Sequence, residues 1–217
     1  MRSERSDSRL TGLYVITDAA VTDPQQLEAQ VALAIRGGAR IVQYRDKSQE
    51  HARRLKCAER LATLCHRHRV ALIINDDIEL ARASGAQGVH LGREDGALER
   101  ARARLPSDAI IGISCYDALD RAQAAQSGGA GYVAFGRFFP SQSKPEATPA
   151  DPSLLIQARK MLELPIVAIG GITPDNGRSL LEAGADMLAV INGVFGQPDI
   201  QQAAARFAAL FPSEQPS

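Results

Sequence analysis

Two aspartates each follow a short apolar run and could share one divalent cation. Asp76 follows the run Ala71–Ile74, and Asp95 comes shortly after the run Gly88–Leu91. Both runs are typical of buried parallel strands. Neighbouring strands would bring the two carboxylates together, and Mg²⁺ commonly takes one or two protein carboxylates with phosphate oxygens. The alternative is structural: Asp76 could cap a helix, and Asp95 could lie in a turn.

Gln43, Arg45 and Lys47 have types and spacing that suit a polyanion. Side chains two residues apart point to the same side of an extended chain, so the three could face one ligand. A diphosphate held beside Mg²⁺ would match them. The alternative is that Arg45 and Lys47 are solvated charges at a strand end. The basic run 51–69 is interpreted as the solvated face of a helix, and His90 as a structural residue in a strand.

Two further loops contain glycine where a phosphate could bind. Gly170-Gly171 precedes Thr173-Pro174, which predicts a helix N-cap with proline at the first helical position. Asn192-Gly193 follows the last apolar run. Glycine lets backbone N–H groups approach phosphate oxygens, and a following helix N-terminus favours negative charge. The alternative at Gly170-Gly171 is a tight turn without a ligand.

The elements that must position these residues alternate along the chain. Eight strand-like runs are each followed by a helix-like segment, and segments 24–36 and 50–68 show apolar residues at helical spacing. Alternation predicts a parallel sheet, and eight units predict an α/β fold, a single parallel eight-stranded (β/α)8 TIM barrel. The predicted strands are Leu13–Thr17, Ala39–Tyr44, Ala71–Ile74, Gly88–Leu91, Ile110–Ser114, Tyr132–Phe135, Ile166–Ile169 and Met187–Ile191.

Four Gly-Ala pairs recur at matching places in this pattern. Each pair lies between a helix-like segment and the second, fourth, sixth or eighth strand, where glycine would end the helix in the left-handed conformation. In such barrels the active site forms at the carboxyl ends of the strands. The pairs are Gly38-Ala39, Gly85-Ala86, Gly129-Ala130 and Gly184-Ala185.

Size and composition exclude several classes of protein. The chain has 217 residues, which suits one catalytic barrel over 10–211 with polar tails at 1–9 and 212–217. Lys plus Arg equals Asp plus Glu at 25 each, so nothing favours nucleic acid or an anionic membrane as a partner. Three cysteines without disulfide or zinc spacing, and no signal peptide or membrane span, favour a cytoplasmic protein. A homo-oligomer remains open.

Eight segments in order along the chain resemble those of the thiamine phosphate synthase family. Single segments are weak, whereas eight in family order at plausible spacing are specific. The resemblance implies Mg²⁺-dependent coupling of 4-amino-2-methyl-5-hydroxymethylpyrimidine diphosphate with a thiazole phosphate, carboxylated or not, by dissociative alkyl transfer. The segments, between Leu13 and Phe195, are LYVITD, QYRDK, INDD, GVHLGRED, GISC, FGRFFPSQSKP, AIGGI and AVINGVF.

The resemblance also implies a role for each site residue. The metal ligands are Asp76 and Asp95, and the catalytic candidates are Ser114, Lys144 and Arg45. The residues implied for the pyrimidine diphosphate are Gln43, Tyr44, Arg45, Asp46, Lys47, Asn75, Ser114 and Lys144. Those implied for the thiazole phosphate are Ser141, Gln142, Ser143, Gly171, Ile191 and Asn192.

The chain departs from the usual family pattern at two places. Family members usually have threonines where this chain has Ser141 and Ser143, so the hydroxyl donors are kept. They usually have serine where this chain has Asn192. Asparagine is tolerable there if the backbone N–H is the main donor, and it would lower thiazole phosphate affinity if the hydroxyl matters.

Three alternatives to a synthase remain. A related thiazole tautomerase shares the barrel and the thiazole phosphate end but lacks the diphosphate and metal residues, and Lys47, Asp76 and Asp95 argue against it. Other phosphate-binding barrels share glycine-rich loops, and QYRDK with INDD argues against them. A non-catalytic sensor of thiazole or thiamine phosphate would keep the same ligand residues, although no second domain is visible.

Overall fold

The structure, a computed structural model, describes residues 10–92, 94, 96–140 and 150–212. Within them, eight parallel strands pair in sequence order, and the last pairs with the first to close a barrel. The predicted fold is therefore confirmed. The strands are β1 (Gly12–Ile16), β2 (Ala39–Tyr44), β3 (Ala71–Asn75), β4 (Gly88–Leu91), β5 (Ile110–Tyr116), β6 (Tyr132–Phe135), β7 (Ile166–Ile169) and β8 (Met187–Val190).

Helices follow the strands, and two of them follow β8. Among the described residues, no helix is long and apolar enough to cross a membrane. The helices are α1 (Leu27–Arg36), α2 (His51–Arg67), α3 (Ile78–Ser84), α4 (Ala97–Arg104), α5 (Leu119–Ser127), α6 (Ser153–Met161), α7 (Pro174–Glu182), α8 (Asn192–Phe195) and α9 (Ile200–Ala208).

The boundaries differ from those predicted mainly where side chains close turns or pairing is irregular. α1 begins at Leu27 rather than at Pro24, because the Asp23 side chain closes a turn by accepting from the Gln25 N–H at 2.8 Å. β5 continues past Ser114, and its pairing with β6 shifts register there. Neither effect changes the spacing of apolar residues, so the sequence pattern could not predict these two boundaries.

Alternation along each strand divides the core into two layers. In β1, Tyr14 joins the cluster that fills the barrel interior, whereas Val15 joins the larger layer between barrel and helices. Both residues are almost wholly buried, at 1% and 0% exposed. Period-two alternation on a closed sheet produces this division.

The glycines of the four Gly-Ala pairs end the helices as predicted. Gly38, Gly85, Gly129 and Gly184 have φ of +102°, +74°, +80° and +116°. A side chain is strained in this region, so glycine is required where each helix turns back into an even-numbered strand. The Gly-Ala repeat therefore marks the points where helices end and even-numbered strands begin.

Candidate active site

The carboxyl ends of β2 and β3 open on a charged cleft that is also lined by α2, α3 and α4. Its volume is about 850 Å³. Cations and carboxylates both contribute to its walls, which suits an anionic ligand that binds together with a cation. The charged residues that line it are Asp46, Lys47, Arg54, Asp76, Asp77, Glu79, Arg100 and Arg104.

Asp76 is the first residue after β3, and its backbone has a φ of +61°. Its Oδ2 accepts from Asn75 Nδ2 at 2.7 Å, and its Oδ1 accepts from the Gly92 N–H at 3.1 Å. A positive φ is uncommon outside glycine, and such residues cluster at functional sites. The interpretation of Asp76 as a helix cap is wrong, because Asp77 is the N-cap of α3 and accepts from the Leu80 N–H at 2.9 Å.

The donor chemistry at Asp76 fits a hard divalent cation. Its carboxylate is exposed at the cleft and consists of the oxygen ligands that Mg²⁺ prefers. Asp95, the second predicted ligand, lies outside the described residues. Among those that are described, no three His, Cys, Asp or Glu side chains group as a metal site. Mg²⁺ binding therefore stays a prediction.

The surroundings differ among the three residues near the end of β2 that were predicted to point to the same side of the chain. Gln43 is buried in the barrel interior, where its Nε2 donates to Tyr14 Oη at 2.7 Å. Arg45 forms an ion pair with Asp18, which follows β1. Lys47 is exposed and lines the charged cleft. Lys47 is thus the member of the three that the cleft contains.

Tyr44 and Asp46 stabilise the loop that follows β2. Tyr44 is buried on the helix side of the barrel, and its Oη donates to Asp46 Oδ2 at 3.1 Å. Asp46 also accepts from the Ser48 N–H at 2.8 Å and from Arg53 Nη2 at 3.1 Å. Burial raises the pKa of Asp46, but the hydrogen bonds from Ser48 and Tyr44 and the charge of Arg53 outweigh burial and hold it below its usual value. Asp46 is therefore ionised.

Ser114, near the end of β5, is held from two sides. Its Oγ is 2.8 Å from His90 Nε2 on β4, and its carbonyl accepts from Arg121 Nε at 2.8 Å. Arg121 Nη2 also donates to the Gly92 carbonyl at 2.7 Å, so one guanidinium connects the ends of β4 and β5. Burial lowers the pKa of His90 to about 4, against a smaller opposing effect of Asp76, so the imidazole is neutral at pH 7.

The loops after β7 and β8 contain the glycine-rich turns that the sequence predicted. Thr173 caps α7 in a reciprocal pair with Asn176, and Pro174 is the first helical residue, as predicted. Asn176 Nδ2 also donates to the Gly171 carbonyl at 3.2 Å, which fixes the turn. Asn192 begins the four-residue helix α8 directly after Ile191. Backbone N–H groups near two strand ends are thus held in place.

Ser141, Gln142, Ser143 and Lys144 lie outside the described residues. The described residues on either side of them are attached to the barrel near β7. The Phe139 N–H donates to the Gly170 carbonyl at 3.0 Å, and the Ala150 N–H donates to the Arg137 carbonyl at 2.6 Å. Phe139 therefore lies beside the β7 turn, and Ala150 is bonded to the loop that follows β6.

Arg54 lines the cleft, whereas a solvated helix face was predicted for the basic run that contains it. Its side chain is 12% exposed, and its Nη2 forms an ion pair with Asp77 at 2.8 Å. Its buried Nε has no hydrogen-bond partner among the described residues. The sequence did indicate this burial, because Arg54 shares a helix face with the buried Ala58, Leu61 and Cys65 at helical spacing.

Comparison with known proteins places the chain in one family. The sequence profile described as thiamine monophosphate synthase matches residues 13–194. Thiamine-phosphate synthases of Nitrosococcus oceani and Thioalkalivibrio sulfidiphilus are 55% and 50% identical, over 95% and 94% of this chain and 95% and 96% of theirs. The structure of thiamine phosphate pyrophosphorylase from Pyrococcus furiosus superposes with a TM-score of 0.85 at 32% identity, covering 94% of this chain and 97% of that one. The expected resemblance is confirmed: the chain belongs to the thiamine monophosphate synthase family.

Proposed function

We propose that this protein, a transferase by its family, couples 4-amino-2-methyl-5-hydroxymethylpyrimidine diphosphate with a thiazole phosphate to give thiamine phosphate and diphosphate. One observation carries the proposal: a single barrel end has a cleft of mixed charge after β2 and β3 and glycine-rich turns after β7 and β8. Such an arrangement suits two phosphate-bearing substrates at one site. The names of the relatives agree with it.

The charged cleft would take the diphosphate. Lys47, Arg54, Arg100 and Arg104 supply its cations, and the buried guanidinium of Arg54 has an N–H without a hydrogen-bond partner among the described residues. These cations would stabilise the negative charge that develops on the departing diphosphate. Arg45, Asn75 and Lys144 belong to the same proposed group, as the family resemblance implies.

Asp76 and Asp95 would hold Mg²⁺ beside the diphosphate. Each oxygen of Asp76 accepts one hydrogen bond, from Asn75 or from Gly92, and keeps lone pairs for a further ligand. Bound Mg²⁺ would supply positive charge that lowers the cost of diphosphate departure.

The turns after β7 and β8 would take the thiazole phosphate. Backbone N–H groups at Gly171, Ile191 and Asn192 are the proposed donors, together with the side chains of Ser141, Gln142 and Ser143. Asn176 keeps the Gly171 turn in place through its hydrogen bond to the Gly171 carbonyl. Fixed donors of this kind bind an anion without having to reorganise.

The proposed reaction needs no nucleophile from the protein. The bond between the exocyclic carbon and the diphosphate oxygen breaks, and diphosphate leaves with the electron pair. The amino-pyrimidine stabilises the resulting cation, and the lone pair of the thiazole nitrogen then forms the new bond to carbon. The barrel would contribute by holding the two substrates in contact and by aligning Ser114 with the pyrimidine.

Product analysis tests the proposal directly. The purified protein is incubated with both substrates and Mg²⁺, and in parallel with a chelator, and thiamine phosphate and diphosphate are quantified. Metal-dependent formation of both products in equal amounts is the expected result. If folded protein forms no product under either condition, the proposal is wrong, and thiazole isomerisation and ligand binding without turnover become the activities to measure.

A further inference from the structure

A continuous chain of side-chain hydrogen bonds crosses the barrel interior and ends at Ser114. Gln43 Nε2 donates to Tyr14 Oη at 2.7 Å, and Tyr14 Oη lies 2.8 Å from Tyr132 Oη. Tyr132 Oη lies 3.0 Å from His90 Nδ1, and His90 Nε2 lies 2.8 Å from Ser114 Oγ. We call these five residues the interior relay. Each lies on a different strand, so the strand pairing of the barrel fixes their positions.

Tight packing around Tyr132 holds the side chains of the interior relay in fixed positions. Tyr14 and Tyr132 are 1% and 0% exposed, and their rings meet edge to face with centroids 6.0 Å apart. The His90 ring stacks on Tyr132 at 5.6 Å. Gly112 makes the space, because a Cβ there would lie 2.0 Å from Tyr132 Cζ. Hydroxyls this deeply buried must be hydrogen-bonded, because leaving one unpaired in an apolar interior is costly.

The donors and acceptors fix the direction of the relay. The Gln43 amide is oriented so that Nε2 donates to Tyr14, and in this orientation the single hydroxyl hydrogen of Tyr14 goes to Tyr132. Tyr132 then donates to His90 Nδ1, and the neutral imidazole carries its hydrogen on Nε2. The opposite direction would require the Gln43 amide to be turned so that its Oε1 accepts from Tyr14.

This direction decides what Ser114 can do. A serine and a histidine at hydrogen-bond distance resemble a nucleophile and its base, but that pair requires an unprotonated Nε2, usually supported by a carboxylate that accepts from Nδ1. Here the group behind the imidazole is a phenol, Tyr132, which donates to Nδ1 in the direction set by Gln43. With its hydrogen on Nε2, His90 donates to Ser114 Oγ and cannot remove the serine proton.

We propose that His90 is a positioning residue that makes Ser114 a hydrogen-bond donor to the substrate. Because Ser114 Oγ accepts from His90, its own hydrogen is left for an acceptor at the barrel mouth, such as a ring nitrogen of the pyrimidine. Tyr132, Tyr14 and Gln43 hold the imidazole in the required tautomer. The identity of the acceptor rests on the proposed function, whereas the tautomer does not.

The tautomer can be measured on the ligand-free protein. The chain has four histidines, so a protein labelled with ¹⁵N-histidine gives few ring signals in a long-range ¹H–¹⁵N spectrum, and the signals missing in His90→Gln identify His90. The expected result is a hydrogen on Nε2 and none on Nδ1. In Tyr132→Phe this preference should fall, whereas Ile73→Val, an apolar change in the same interior, should leave it unchanged. A hydrogen on Nδ1 in the wild type would overturn the proposal.

Steady-state kinetics test the consequence for the substrate. His90→Leu removes the donor to Ser114, so the KM for the pyrimidine diphosphate should rise about five- to tenfold while that for the thiazole phosphate stays constant. His90→Gln, which keeps an N–H, should recover part of the loss, and Tyr132→Phe, which keeps the ring, should raise the same KM. Equal changes in both KM values would overturn the positioning role. Absence of product from the wild type would instead contradict the proposed function, and the NMR result would still decide the tautomer.

Discussion

Asp76 and Asp77 are adjacent in sequence, but their carboxylates accept hydrogen bonds from different parts of the barrel. Asp77 accepts from the Leu80 N–H at 2.9 Å and caps α3. Asp76, with its φ of +61°, instead accepts from the Gly92 N–H at 3.1 Å and faces the charged cleft. Asp77 therefore caps a helix and pairs with Arg54, whereas the Asp76 carboxylate keeps lone pairs for a ligand.

This difference predicts different effects on stability for two neighbouring substitutions. Asp76→Asn keeps the shape and the tolerance of positive φ but removes the charge, so turnover should fall by at least about 100-fold, with a small change in Tm. Asp77→Ala should lower the free energy of unfolding by about 1 kcal/mol through loss of the cap. Turnover and thermal unfolding are measured on both variants.

A remote cap serves as the control for this pair. Asp199 caps α9 by accepting from the Gln202 N–H at 2.9 Å, and Asp199→Ala should lower stability without changing turnover. If Asp76→Asn lost as much stability as the two cap variants, Asp76 would be a structural residue.

The buried guanidinium of Arg54 should bind the diphosphate. Arg54→Met keeps the length of the side chain but removes the charge and the N–H groups, so inorganic pyrophosphate with Mg²⁺ should bind about tenfold more weakly. Isothermal titration calorimetry measures this directly. Arg60→Met is the matched control on the same helix, because Arg60 is 63% exposed in a surface ion pair with Glu28. Equal losses in both variants would exclude a specific role for Arg54.

Asn192 tests whether the backbone or a side chain binds the thiazole phosphate. The Asn192 side chain packs over Gly196, since a Cβ at Gly196 would lie 2.0 Å from Asn192 Oδ1. We therefore expect the backbone N–H to be the main donor and Asn192→Ser to change the KM for the thiazole phosphate by less than about threefold. An improvement of about tenfold would show that the serine hydroxyl, absent here, matters.

The buried thiols should make stability fall at alkaline pH. Burial raises the pKa values of Cys65 and Cys115 to about 12, and both are 0% exposed. Unfolded thiols ionise near pH 8.5, about 3.5 units lower, so between these values the unfolded chain releases protons that the native chain keeps. The free energy of unfolding should therefore fall by up to about 1.4 kcal/mol per pH unit for each thiol.

Urea unfolding at about pH 7.5 and about pH 9.5 measures this slope. Cys65→Ala should be less stable overall but should show a flatter dependence on pH. Cys57→Ser, at a half-buried position, provides the comparison. Labelling with a thiol reagent at about pH 8 should modify Cys57 in the native protein and the other two only after unfolding. Rapid native labelling of Cys115 would contradict this account.

Local chemistry explains which parts of the molecule could be predicted from sequence. The strands and the Gly-Ala turns are encoded by neighbouring residues, and four strands, such as β2 and β7, match the predicted bounds. The cap at Thr173-Pro174 was predictable for the same reason. The positions of Asp76 and Lys47 followed from one rule, that strand ends meet at one edge of a barrel.

The interior relay could not be predicted in this way, because its contacts join residues far apart in sequence. Tyr14 and Tyr132 are 118 positions apart, and each looks like an ordinary strand residue. Their meeting depends on barrel closure and on the space at Gly112. The ion pair between Arg54 and Asp77 likewise depends on how α2 and α3 pack. No pattern within a single segment contains this information.

The contact between Gly112 and Tyr132 also limits the order in which this barrel can change its sequence. Because a Cβ at position 112 would lie 2.0 Å from the Tyr132 ring, alanine there is acceptable only after the tyrosine has become smaller. Replacing the tyrosine first empties the space and removes the hydrogen-bond partner of His90 Nδ1. A change of Gly112 to alanine together with a change of Tyr132 to a smaller residue therefore passes through an impaired single mutant, whichever position changes first. The two positions are epistatic, and the pair should be exchanged together or retained together.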